Sequence, residues 1–123
     1  MIYKKEMLCK HFKGKTLEEK NIYRIVRTGV SGKDIDAREI TYTGDGVLEF
    51  AENLVVYANI FQNNKLFARE YEDISSELSP EKQQLFSQKI KVQPLTEEEI
   101  AIVKTPHFVK LKENITREKY KQI

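Results

Sequence analysis

Cys9 and His11 stand two residues apart, and on an extended strand they share one face. A thiol beside an imidazole is the minimum of a nucleophilic unit, because the imidazole can take the proton that the thiol must lose. Such a unit also needs an orienting acid and a cradle for the oxyanion, and no residue pattern here reads as either. The favoured reading makes Cys9 a small core residue and His11 a structural hydrogen-bonding group. No catalytic residue is therefore assigned, and a small Cys/His enzyme is the least favoured function. A metal centre needs three or four convergent ligands. One cysteine, two histidines (His11 and His107) and scattered carboxylates show no ligand spacing, so neither a metal nor a cofactor is expected. Gly44 and Gly46 lack the lysine–hydroxyl pair and following helix of a phosphate loop and read as a turn. Asp34, Asp36 and Glu39 lack the spacing of a calcium-binding loop.

Two other groupings could bind. Tyr57, Phe67, Arg69 and Tyr71 could line a groove for a peptide or small ligand, in which Arg69 would receive a carboxylate or phosphate. With Phe67 in the core, Arg69 instead pairs with Glu70, Glu72 or Asp73 across a turn, and this second arrangement is the expectation. The residues assigned to ligand binding are His11, Lys13, Tyr57 and Arg69. The alternative is a nucleic-acid surface. Lys4, Lys5, Lys10, Lys13 and Lys15 interleave with Tyr3, His11 and Phe12, the mixture that puts cations on phosphates and rings on bases. The bland counterpart makes Tyr3 and Phe12 core anchors and leaves the lysines solvated.

The charge distribution bears on both. Residues 1–15 carry five lysines against one glutamate, residues 34–77 carry ten acids against three bases, and residues 104–123 carry six bases against two acids. Basic ends lying over an acidic middle is the simpler explanation, and a basic surface for an anionic partner is the sharper one. Apolar content of 40% and charged content of 33% fit a globular domain of 123 residues. No apolar run approaches the ~20 residues of a membrane span, so no membrane partner is expected. No signal peptide is visible at the N-terminus, and a single cysteine excludes an intrachain disulfide framework. A reducing cytoplasm is the expected location.

The elements that must position these residues centre on Leu54 to Ile74. Leu54–Phe61 is apolar on both alternating faces, which predicts a central strand covered on two sides. Gln62, Asn63 and Asn64 predict a tight turn, and Lys65–Tyr71 the return strand. Asn21–Thr28 predicts a strand with Tyr23 and Ile25 on one face and Ile22 and Val26 on the other. Residues 34–53 read as an inserted hairpin or long structured loop, with Ile40 and Tyr42 inward. Ser79-Pro80 starts a helix that should run to about Gln88 and bury Leu85 and Phe86. Lys89–Leu95 predicts an edge strand limited by Pro94. Thr96 to Glu99 is a capping box for a helix ending near Lys104. His107–Lys112 reads as a last strand, and Thr116 as the cap of a short basic helix.

His11-Phe12-Lys13-Gly14, the strand with Tyr23 and Ile25, Leu54-Val55-Val56-Tyr57 and Leu66-Phe67-Ala68-Arg69 occur in that order. Through these words, over residues 8–75, the chain resembles the small bacterial family called domain of unknown function 1653. The resemblance implies an SH3-like small β-barrel and no established activity. The chain departs from the family pattern at Lys15–Asn21 and in the longer stretch 29–53. The expected fold is mainly β with α additions. An SH3-like barrel over residues 1–78 carries the insert near 34–53, and residues 79–123 pack on it with two or three short helices. The expected function is a non-enzymatic binding module for an unknown protein or small-molecule ligand. Its alternative is a sequence-tolerant nucleic-acid binder. The oligomeric state is left open.

Overall fold

A computed structural model describes residues 2–121. Its centre is β4 (Leu54–Asn59), in which all six residues are buried. Alternation along β4 divides the interior. Val55 and Tyr57 face a cluster with Tyr3, Cys9, Tyr23, Ile25, Ile74 and Val92. Leu54 and Val56 face a second cluster with Val30, Ile35, Ala51 and Ala68. A strand apolar on both faces is thus covered on both faces, as the sequence requires. The chain turns back through Asn63 and Asn64, at φ of 53° and 52°. That left-handed region is one Asn tolerates through local side-chain hydrogen bonding. β5 (Lys65–Glu70) then pairs antiparallel with β4 from Leu54↔Glu70 to Asn59↔Lys65.

β2 (Ile22–Val30) lies on the other side of β4, and β1 (Leu8–His11) lies antiparallel beside β2. Tyr23 and Ile25 point into the first cluster, whereas Ile22 joins a third with Leu95, Val103 and Phe108. The edges are β3 (Ile40–Tyr42), parallel to β5, and β6 (Val92–Pro94), antiparallel to β1. The result is a six-stranded mixed sheet in the order β3-β5-β4-β2-β1-β6. The ladder runs open from β3 to β6 and does not close on itself. Pro94 sits where an edge strand admits a residue without N–H.

Among the described residues the fold is mainly β with four α-helices. α1 (Tyr71–Ser75) follows β5 directly, and α2 (Pro80–Leu85) begins at the Ser79 cap. α3 (Glu97–Val103) carries the expected capping box, with Thr96 and Glu99 bonded reciprocally. α4 (Pro106–Lys121) closes the third cluster with Phe108.

Four expectations are corrected. Of the two alternatives for residues 34–53, the hairpin does not form: the stretch carries one strand, β3, whose partner is β5 in parallel, and a 3-10 turn at Leu48–Phe50, with another just before it at Gly32–Asp34. His107–Lys112 is helical and not a strand. Thr105-Pro106, just past the expected end of α3 near Lys104, starts a helix: Phe108 N–H donates to Thr105 Oγ1 at 3.2 Å, and proline fits the first helical position. Thr116 accordingly lies inside α4 instead of capping a separate helix. Leu85 is 77% exposed, because α2 stops at Leu85 and only Phe86 turns inward, edge-on to Phe12.

Candidate functional site

Five strands and α1 deliver side chains to one small cavity. Its lining is His11, Tyr23, Tyr57, Arg69, Asp73, Ile74, Lys91 and Val92, around about 70 Å³. Register explains the convergence. Tyr23 and Tyr57 share the face of the first core cluster, and their rings meet edge-on at 4.8 Å between centroids. Tyr57 is opposite Phe67 on β5 and stacks with it at 5.7 Å. Arg69, two residues beyond Phe67, leaves the strand on the same side. On β1, His11 is opposite Val92 of β6 and lies edge-on to Tyr23 at 6.3 Å.

The walls are tied by hydrogen bonds that bridge distant segments. Tyr3 donates its hydroxyl to Val92 O at 2.6 Å and to Ile74 O at 3.3 Å, joining β6 to α1. Lys91 is placed by its backbone: Phe12 N–H donates to Lys91 O at 2.9 Å, and Lys91 N–H to Ser76 O at 3.3 Å.

Electrostatically the cavity is a cationic pair around one carboxylate. Arg69 Nε donates to Asp73 Oδ2, an i,i+4 pair across the end of β5. Lys91 Nζ reaches the other oxygen, Oδ1, at 3.4 Å. All three side chains keep about a third of their surface exposed, at 35%, 33% and 35% for Arg69, Asp73 and Lys91. Burial, and then the cations of Lys13, Arg69, Lys20 and Lys91, lower the His11 pKa to about 4. The imidazole is neutral at pH 7. Its Nδ1 accepts from the Lys13 amide at 3.2 Å, which leaves the proton on Nε2 as a donor. Burial also raises the Tyr57 pKa, and raises that of Tyr23 to about 12.

Of the residues assigned to a ligand from sequence, His11, Tyr57 and Arg69 come together here. Lys13 does not line the cavity: only its backbone amide touches His11, and its side chain lies on the exposed surface. Arg69 pairs with Asp73, one of the three acids expected. Sequence reading missed Tyr23, Asp73 and Lys91 as lining groups. Tyr23 was detectable, since its face of β2 was assigned correctly. Lys91 was not, because nothing local indicates that β6 pairs with β1.

Cys9 shares the His11 face but is fully buried, and burial raises its thiol pKa to about 12. A protonated thiol out of solvent is a poor nucleophile. Among the described residues, no group of three or more His, Cys, Asp or Glu could hold a metal ion. No helix among them is long and apolar enough to cross a membrane. Of the five N-terminal lysines, Lys10 is bound to Glu99 at 2.6 Å and is only 14% exposed. Lys4, Lys5, Lys13 and Lys15 are exposed. No protein-family model, curated protein or solved structure matches the chain.

Proposed function

We propose that this chain is a non-enzymatic binding module of the bacterial cytoplasm, related to the family of domain of unknown function 1653 and to its SH3-like small barrels. The cavity between β1, β2, β4, β5, α1 and β6 is its ligand site. One observation carries the reading: His11, Tyr57 and Arg69, far apart in sequence, line one small cavity together with Tyr23, Asp73 and Lys91. A few polar groups converging on an aromatic floor is the usual composition of a recognition site. At about 70 Å³ the cavity is far below the ~300 Å³ or more of pockets that enclose whole drug-sized ligands. It therefore takes a head group or side chain while the rest of the ligand lies on the surface.

The test is a small-molecule and peptide screen by protein-detected NMR, run on the wild type and on Arg69→Met. Ligands that shift His11, Tyr57 and Lys91 resonances in the wild type, and lose that effect in R69M, support the site. Hits that map elsewhere and ignore R69M sink it. Four exposed lysines keep the nucleic-acid alternative in the same experiment. Oligonucleotide binding that falls steeply with salt and is lost on Lys4→Glu/Lys13→Glu would move the function there.

A further inference from the structure

The charge balance of the cavity names the head group that it accepts. Its lining holds two cations, Arg69 and Lys91, and one carboxylate, Asp73, while His11 contributes a neutral donor. The sum is a single positive charge, which one monoanion balances and a dianion overshoots. The donor geometry agrees. Among the described residues, Arg69 meets Asp73 through Nε, and the guanidinium fork carries further N–H donors at its terminal nitrogens. Lys91 Nζ sits at 3.4 Å from Asp73, longer than a charge-assisted hydrogen bond, and can shorten to a better placed oxygen. His11 Nε2–H supplies a third donor. Behind them, Ile74, Val92 and the rings of Tyr23 and Tyr57 offer an apolar wall. A planar acid with a short carbon stub matches this combination of donors, charge and volume.

We infer that the cavity seats a singly charged carboxylate, held by the terminal nitrogens of Arg69, by Lys91 and by His11 Nε2, in exchange for part of the hold of Asp73 on both cations. The inference rests on the proposed reading of the cavity as the ligand site. Asp73 is then a built-in competitor: it keeps the two cations paired when the site is empty and yields when a better placed carboxylate arrives. The carboxylate can come from a free small acid or from the C-terminal end of a peptide.

The experiment is a titration followed by 1H–15N NMR at pH 7 and constant ionic strength. The probes are acetate, propionate, inorganic phosphate, and one short peptide with either a free or an amidated C-terminus. Acetate, propionate or the free-ended peptide should shift the signals of His11, Arg69 Nε and Lys91, and phosphate should not exceed a chloride control. Saturation by the small acids alone assigns the first source, and by the free-ended peptide at much lower concentration the second. Asp73→Asn should tighten carboxylate binding by about threefold to fivefold, the strength of a partly exposed ion pair. Lys91→Gln should weaken it without unfolding the protein. Phosphate outcompeting the carboxylates at the same residues overturns this inference and leaves the cavity as the ligand site. No response to any probe at these residues, while screen ligands do bind there, also overturns the inference alone. Silence from probes and screen ligands together overturns both. Asp73→Asn binding carboxylate no more tightly than the wild type removes the exchange.

Discussion

Among four cations and partly out of water, the His11 imidazole gives up its proton far more readily than in solution, with a pKa of about 4 against the ordinary 6.5. The linkage has a definite sign. The folded pKa is depressed, so the unfolded chain binds more protons between pH 6.5 and pH 4. The contribution of neutral His11 is complete above pH 6.5 and is lost as pH falls through pH 4. Relative to His11→Gln, which keeps an acceptor for the Lys13 amide, the wild type should lose ~1–2 kcal/mol between pH 7 and pH 4.5. Urea unfolding of both proteins across that range measures it, and a pH-independent difference would show that the imidazole titrates normally. At this scale the sequence conveyed residue types but not their surroundings. His11 and Arg69 stood out as polar groups beside aromatic ones. Asp73 was one acid among three candidates, and Lys91 one lysine in an alternating stretch.

Elements built from local signals were legible. β4 and β5 followed from a doubly apolar run and an Asn-rich turn, and α3 from a capping box that the side chains form as written. β3 was not legible as paired, because its partner β5 lies beyond an intervening strand and the pairing is parallel. The insert between β2 and β4 is held by a close backbone approach at Gly32 that no local pattern announced. Gly32 donates its N–H to Ala51 O at 2.8 Å. A Cβ at Gly32 would lie 1.7 Å from Leu48 O, inside any tolerable contact with backbone. Gly32→Ala should therefore push the two 3-10 turns apart and cost about 2–3 kcal/mol. Gly46→Ala, where a Cβ meets only Tyr42 Oη at 3.9 Å, is the control and should be close to neutral. Thermal unfolding of the pair tests this, and equal stabilities would mean that the insert is not held at Gly32.

At the scale of the molecule, the expected class, mainly β with added helices, holds, while the sheet stays open and takes one edge from the C-terminal third. Part of the attachment of that third is a buried cation bonded to backbone carbonyls, which no pattern of hydrophobicity announces. Lys112 of α4 is 5% exposed and donates to Glu18 O at 2.8 Å and to Lys20 O. Lys20 in turn donates to Phe12 O at 3.0 Å and Gly14 O at 2.8 Å, next to His11. Lys112→Met keeps the length and loses these donors, leaving buried carbonyls without them at a cost of about 1–3 kcal/mol. The exposed Lys110→Met is its control. Hydrogen exchange should accelerate over residues 11–20 in the first variant only; unchanged exchange would make Lys112 incidental to that loop. The span of these ties also sets an order of events during translation. Tyr3 and Val92 are 89 residues apart and Lys112 and Glu18 are 94 apart, so each earlier-made partner waits for one made about ninety residues later. A nascent chain that has emerged as far as Leu78 can pair β4 with β5, yet it has a bare β1 edge and no Lys91. Chains released that early would carry the aromatic floor without its second cation and with β1 unpaired on its outer side.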